Sequence, residues 1–274
     1  MVTRANQSQQ LLQRSEIHSQ WESEYLNPDL DRFYDLAFTK ILQRLQSGPS
    51  DKILDAGCGF GFHTLRIARG NAQITAVDFS DIALAVAAET ISRAGIEGKV
   101  SLRKADLTAL PFSDCSFDFV ISWGVIMHIP DMESALSELA RVTKPGGVLV
   151  LCENNMHSLD VLIRERALRA VKRLLGRELA EVRQTPRGIE VWMQSATGGL
   201  LVRKTNMRFL KMFLAQKGLV QIDRIAGQFT EGYTNMPTRA LKRLLYALNV
   251  FYFRHIRSPN LALGNILFFR RTTD

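Results

Sequence analysis

The run Asp55-Ala56-Gly57-Cys58-Gly59-Phe60-Gly61 places three glycines directly behind a carboxylate. Glycine lets a backbone approach a ligand closely and take torsions that a side chain forbids. Two further acids close later apolar runs: Asp78 ends AQITAVD and Asp106 ends VSLRKAD. A carboxylate offers two acceptor oxygens that match a cis diol, so Asp78 is a candidate ligand for both hydroxyls of a ribose. Asp106 can accept from an adenine amino group, with the backbone of Leu107 near the ring nitrogen and Phe79 packed on the ring. Ser122-Trp123-Gly124 ends a fourth run, and its backbone would face the far end of such a ligand. Taken one at a time, Asp78 and Asp106 could be turn or cap residues, Gly61 could serve helix packing, Cys58 could be a small filler and Asp55 could order the loop. Their joint order instead points to a nucleoside pocket at the carboxyl ends of parallel strands.

A strand–helix–strand frame positions them. KILDAGCG is a short apolar run feeding the glycine turn, FHTLRIARG reads as helical, and AQITAVDFS is a second strand. A helix over about 81–94 follows, then strands at VSLRKAD and FDFVISWG, a helix at MESALSELARVT, a turn at Lys144-Pro145-Gly146-Gly147 and a strand at VLVLCE. This alternation implies an α/β fold, with a parallel sheet covered on both faces. Residues 16–46 read as helical with a break at Asn27-Pro28-Asp29. Residues 158–176 read as a basic amphipathic helix, able to rest on a membrane surface or to pack on its own domain. IEVWM and LLVRK, separated by Thr197-Gly198-Gly199, suggest a hairpin. A helix from about Thr205-Asn206, a strand at LVQIDRI, a helix at about 238–256 and a strand at NILFFRR complete the chain.

The third glycine comes one position too early for the dinucleotide fingerprint G-x-G-x-x-G, and Phe62 stands where that pattern wants Gly or Ala. A nicotinamide or flavin oxidoreductase therefore loses ground. The ordered motifs ILDAGCGFG, TAVDFS, KADLTALPFSDCSFDFVIS, MHIPD and LARVTKPGGVLVL resemble the class I S-adenosylmethionine-dependent methyltransferases, particularly the ubiquinone and menaquinone methyltransferase-like group. The resemblance covers about residues 45–155. It implies S-adenosylmethionine as cofactor and a Rossmann-like, mostly parallel seven-stranded sheet of order 3-2-1-4-5-7-6 with its last strand antiparallel. It also implies that Asp55, Gly57 and Gly59 shape the methionine pocket, that Asp78 binds the ribose and that Asp106 and Leu107 bind the adenine. The chain then divides into an N-terminal helical lid (1–46), a cofactor-binding core (47–155), and acceptor-side insertions with the last two strands (156–274). Trp21, Tyr25 and Tyr34 are lid candidates, with core packing as the alternative.

Methyl transfer from a sulfonium is an in-line displacement, so the protein has chiefly to align the acceptor. For an oxygen or activated-carbon acceptor a general base helps. His128 and Glu153 lead the candidates, followed by His157, Glu231 and Tyr233; positioning or helix capping are the alternative roles. The turn Ser122-Trp123-Gly124-Val125 lacks the Pro-Pro-aromatic pattern used on exocyclic base amines, and no cysteine follows a proline as pyrimidine-carbon methylation requires. A small-molecule acceptor follows, with O-methylation preferred and the insertions (about 155–203 and 226–260) setting selectivity. The alternatives are RNA or protein methylation, or a non-catalytic regulatory protein that binds the same cofactor.

Charge supports the division. Residues 1–155 hold 14 Lys+Arg against 19 Asp+Glu, whereas 156–274 hold 21 against 8, giving the overall +8. The basic C-terminal part, with its interspersed Trp192, Met193, Phe229, Tyr233, Tyr246, Phe251, Tyr252 and Phe253, suits a partly apolar, anionic acceptor such as a glycan intermediate, a quinone precursor or a lipid-linked substrate. Solvated helix faces are the alternative. The chain carries no recognised RNA-binding module, so nucleic acid is not the expected partner. Cys58, Cys115 and Cys152 form no C-x-x-C pair, so neither a disulfide framework nor a metal site is expected. The polar first fifteen residues and the lack of a long apolar run make a cytoplasmic location the expectation.

Overall fold

The computed structural model describes residues 28–174, 176, 181–195 and 198–273. Helix α1 (Pro28–Leu45) precedes a β-α-β series: β1 (Lys52–Ala56), α2 (Phe62–Ile67), β2 (Gln73–Asp78), α3 (Asp81–Arg93), β3 (Val100–Lys104), β4 (Phe117–Trp123), α4 (Met132–Val142) and β5 (Thr143–Asn154). A π-helical turn (Asp160–Glu165) runs into α5 (Arg166–Leu174), followed by β6 (Glu181–Thr185), β7 (Gly188–Ser195) and β8 (Gly198–Thr205). Then come α6 (Met207–Gln216), β9 (Leu219–Ala226), α7 (Arg239–Phe251) with a π-helical extension (Tyr252–Ile256), and β10 (Gly264–Arg271).

The large sheet has the order β3-β2-β1-β4-β5-β10-β9, and β10 runs antiparallel to both neighbours. This is the expected 3-2-1-4-5-7-6 arrangement. Alternate residues of the central strands feed two cores. Ile53, Ile121, Val150, Ile266 and Phe268 pack on one face with Phe38 and Ile41 of α1 and Ile91 of α3. Leu54, Val120, Leu149, Leu267 and Phe269 pack on the other with Leu136 and Leu139 of α4 and Leu210 and Leu214 of α6. Burial on both faces is what the continuous apolar runs of the sequence encode. Helix starts follow their caps: Ser80 accepts from the Ala83 amide, Asp131 from Ser134, and Asn206 from Arg208 and Phe209.

The structure refines four expectations. The turn Lys144–Gly147, with Gly146 at φ +76°, lies within β5: Phe117 pairs with Thr143 and Phe119 with Val148, so residues 144–147 loop out opposite Asp118. Lys144 Nζ binds the Asp118 carboxylate at 2.7 Å across that turn. The expected hairpin forms as β7–β8, and β6 joins it as the third strand of a separate sheet, β6-β7-β8. Within the segment expected to be a lid, residues 28–45 form a core helix, with Leu30, Phe33, Ala37 and Ile41 fully buried and Tyr34 4% exposed; Trp21 and Tyr25 lie outside the described residues. Finally, the 158–176 segment packs inward only at its start, where Val161 is buried and Leu159 and Leu162 are half-buried, whereas Ile163, Val171 and Leu174 are 64%, 51% and 86% exposed. Among the described residues, no helix is long and apolar enough to cross a membrane.

Candidate active site

β1 ends in the buried Asp55. Its carboxylate accepts from Thr64 Oγ at 2.6 Å, which fixes the first turn of α2 behind the glycine bend. Burial, with the nearby Asp78 charge adding to it, pushes the Asp55 carboxyl up to about 7 even though the Thr64 hydrogen bond opposes this. The side chain of Asp55 thus orders the bend. The bend itself turns back on β2, with the amides of Gly57 and Cys58 both donating to Val77 O at 2.9 Å.

Two of the glycines differ in what they require. Gly61 (φ +80°) lies against α3, where a Cβ would come within 3.3 Å of Ala87 Cα and Cβ, so it serves close helix packing. Gly59 (φ +51°) has no heavy atom within 4 Å of the place a Cβ would take. Packing does not require glycine there, and a side chain would project into the open space above the strand ends.

Asp78 and Asp106 stand side by side at that edge. Asp78 pairs in register with Lys104, and the Ala105 amide donates to Asp78 O at 3.0 Å, which carries the ladder up to Asp106. The Asp78 carboxylate accepts from the amides of Gly59 (2.9 Å) and Ser80 (3.0 Å), tying the glycine bend to the end of β2. Asp106 Oδ1 accepts from the Thr108 amide and hydroxyl at 2.9 and 2.8 Å, closing a tight turn. Each acid therefore has a turn-ordering function, yet a carboxylate has about four lone-pair sites, enough to serve a ligand as well. Leu107 is buried, with its side chain in the core that holds Val77 and Leu110, and Phe79 is half-buried. Trp123 closes β4 with its ring against Phe38 (4.8 Å between centroids), His63 (5.4 Å) and Tyr34 (6.0 Å). An adenosyl group fits this set: an open glycine cradle, a carboxylate at each of two neighbouring strand ends for hydroxyl and amino donors, and a half-buried aromatic ring.

Beyond β4 the short 3₁₀ turn Ile126–His128 is clamped by the small sheet. Arg203, fully buried, pairs with Glu190 directly opposite it on β7 (3.0 Å) and donates to the carbonyls of Ile126 (3.2 Å) and Ile129 (3.0 Å). Arg187 adds an ion pair to Glu133 at 2.6 Å. His128 Nδ1 lies 2.8 Å from Leu201 O; a carbonyl only accepts, so Nδ1 carries the proton and the lone pair of the neutral ring resides on Nε2. Burial, against that hydrogen bond and with help from the Lys204 and Arg203 charges, lowers the His128 pKa to about 4. The ring is thus neutral at ordinary pH.

Glu153, at the end of β5, is fully buried. Its Oε2 accepts from Thr205 Oγ at 3.1 Å, while Oε1 has no hydrogen-bond partner among the described residues. Burial raises its pKa to about 8, opposed by the Thr205 hydroxyl, the Arg203 charge and the nearby Ile126 amide. Next to it, Asn154 donates to Glu231 Oε1 (3.2 Å), and Glu231 and Glu165 flank the buried Lys204 ammonium at 3.6 and 3.2 Å. Asp160 pairs with Arg164 at 2.6 Å and takes a hydrogen bond from Thr230 Oγ.

Of the five base candidates, His128, Glu153 and Glu231 converge on the end of β5 and the β8 edge. His157 is exposed, and Tyr233 sits in the core against Tyr246 with its hydroxyl 3.4 Å from Gln228 Nε2. Of the aromatics expected at the acceptor side, Tyr246, Tyr252 and Phe253 are buried and Phe251 faces solvent. Sequence reading passed over Arg203, Lys204, Asn154 and Asp160. The Glu190–Arg203 pair did leave a signal, since the two residues are equidistant from the hairpin turn.

Residues 54–151 match a methyltransferase-domain family model. A demethylmenaquinone methyltransferase of Mycobacterium marinum is 44% identical over 110 residues, 40% of this chain and 44% of that one. The methyltransferase GfsG of Streptomyces halstedii is 34% identical over 115 residues, 42% and 41% of the two chains. The chain thus spans less than half the length of these relatives. Among solved structures, a SAM-dependent methyltransferase of Methanosarcina mazei superposes with a TM-score of 0.58 at 20% identity, covering 85% of this chain and 98% of that one. The PH0226 protein of Pyrococcus horikoshii gives 0.60 at 16% identity over 94% and 99%. The cyclase SpnF gives 0.55 at 21% identity over 88% and 81%. At such identities the likeness speaks for the fold, and a cyclase among the neighbours illustrates that fold alone does not set activity.

Proposed function

We propose that this chain, which carries a class I S-adenosylmethionine-dependent methyltransferase domain over residues 54–151, methylates an oxygen of a small, partly apolar acceptor related to quinones or lipids. The observation that carries the reading is the open cradle at Gly59, whose amide donates to the Asp78 carboxylate, beside the neighbouring strand end that carries Asp106. Asp78 would hold the ribose hydroxyls. Asp106 and the Leu107 backbone would hold the adenine, with Phe79 on the ring. The Trp123-Gly124 backbone would border the methionine end, where Gly124 also has open space beside it. When bound, S-adenosylmethionine supplies an electrophilic methyl on a sulfonium.

The acceptor belongs beyond β4 and β5, next to His128 and Glu153. Neutral His128 would accept a hydrogen bond from an acceptor hydroxyl through Nε2 and so orient its oxygen. Glu153, with its pKa near 8, is mostly protonated at neutral pH and would take up a proton only on the alkaline side. The cations of this region are compensated: Lys204 by Glu165 and Glu231, Arg203 by Glu190, and Arg164 by Asp160. That balance favours a neutral acceptor over an anionic one. The relatives named for demethylmenaquinone support the quinone class.

The test is transfer of tritium from methyl-labelled S-adenosylmethionine into a cell extract. Label should enter the fraction soluble in organic solvent and should fail to do so with Asp78→Ala. Label confined to nucleic acid or protein would replace this reading with one of the alternative acceptors.

A further inference from the structure

The residues that leave the strongest unexplained feature are on the outside. α5 presents Leu168, Val171 and Leu174 at 37%, 51% and 86% exposure, spaced as one helical stripe and preceded by Ile163 at 64%. α7 packs Tyr246 and Asn249 inward, while Leu241, Leu244 and Phe251 are 43%, 64% and 53% exposed on a second stripe. The turn that leads into α5 lies beside α7 and the loop after it. A Cβ on Gly232 would lie 3.3 Å from Arg164 Cδ and 3.4 Å from Leu245 Cδ1, and the Leu159 amide donates to Leu261 O.

Among the described residues, the exposed charges on these two segments are basic. Arg166 and Arg173 on α5, and Arg254 and Arg257 after α7, are exposed. No Asp or Glu occurs in α5 or anywhere between Gly232 and Thr273. The acids nearest to the start of α5 are turned inward: Glu165 to Lys204, and Asp160, 5% exposed, to Arg164. Exposed leucines interleaved with uncompensated arginines on amphipathic helices are what an interfacial helix needs, apolar side chains entering the acyl boundary and cations meeting anionic headgroups. A second copy of this chain would be a poor occupant, because a two-fold contact opposes each basic patch with its own image.

We propose that the α5–α7 face docks onto an anionic lipid surface. The proposal is independent of the methyl-transfer reading, since vesicle association requires no turnover. The full chain is floated with vesicles of phosphatidylcholine mixed with phosphatidylglycerol and with vesicles of phosphatidylcholine alone. The expected result is association with the mixed vesicles, at least roughly tenfold weaker on the neutral ones and weakened by salt. The combined variant Val171→Glu, Leu174→Glu, Leu244→Glu, Phe251→Glu should remain in the unbound fraction. Arg166→Gln, Arg173→Gln, Arg254→Gln should lower the partition coefficient on the order of 100-fold. Both variants should keep wild-type affinity for S-adenosylhomocysteine, which reports an intact fold. The proposal is overturned if the wild type ignores the acidic vesicles, or if both variants float as it does. It is equally overturned if sedimentation equilibrium without lipid shows a wild-type dimer that the apolar variant dissolves.

Discussion

Glu153→Gln should raise the stability of the folded protein on the alkaline side, and the size of the effect follows from one buried carboxyl. In the unfolded chain this group titrates near 4.5, and in the folded chain burial moves it to about 8. Between those values the folded state holds a proton that the unfolded state has released, so stability falls as pH rises. It is unaffected below about 4.5 and levels off above about 8. Each pH unit in the interval costs roughly 1.4 kcal/mol, an upper figure of about 5 kcal/mol across it. Relaxation and water entry around the ionised group would bring the measured value nearer ~2–3 kcal/mol. Glutamine keeps the shape and an oxygen for the Thr205 hydroxyl but has no proton to lose. Asp55, raised to about 7, contributes a slope of the same sign that both proteins share. The difference between the urea-unfolding curves of wild type and Glu153→Gln from pH 5 to 9 therefore isolates Glu153. The variant should gain relative to wild type as pH increases, and turnover, if Glu153 is the base, should rise in the wild type through pH 8 and be flat in the variant. A pH-independent difference in stability would refute the assignment of a raised carboxyl at this position.

The glycine bend separates binding from stability. Gly59→Ala places a methyl in open space at φ +51° and should cost about 1–2 kcal/mol in urea unfolding while weakening S-adenosylhomocysteine binding at least roughly tenfold by calorimetry; Gly61→Ala, which meets Ala87 at 3.3 Å, should act mainly on stability. Arg203→Met leaves Glu190 and the carbonyls of Ile126 and Ile129 without their partner, and should destabilise by about 3–5 kcal/mol. Adding Glu190→Met should recover much of that loss in the same unfolding assay.

The central frame was legible because its physics is local or periodic. β1, β2, β4 and β5 are buried on both faces and write continuous apolar runs, and Ser80, Asp131 and Asn206 mark helix starts through caps within three residues. Elsewhere the deciding contacts were remote in sequence. β6 reads EVRQT, almost wholly polar, and is a strand because β7 pairs with it. Residues 28–45 resemble a lid as readily as a core helix until Arg66 is seen to bind Asp31 and Asp35, drawing α1 down beside α2. Arg203 and Lys204 look like a strand's solvated end. Alternation sends the first to Glu190 and the 126–130 loop and the second to Glu165 and Glu231. The arginines that suggested an anionic acceptor divide too: Arg203 and Arg164 are paired with acids, while Arg166, Arg173, Arg254 and Arg257 are exposed on or just after the outer helices.

The most direct measurement is calorimetric titration of S-adenosylhomocysteine into the wild type and into Asp78→Ala and Asp106→Ala. The wild type should bind one equivalent, and each variant should lose roughly 10- to 100-fold in affinity, as expected when a charged hydrogen-bond acceptor is removed. Wild-type protein that takes up no S-adenosylhomocysteine, or variants that bind it as tightly as wild type does, would contradict the account.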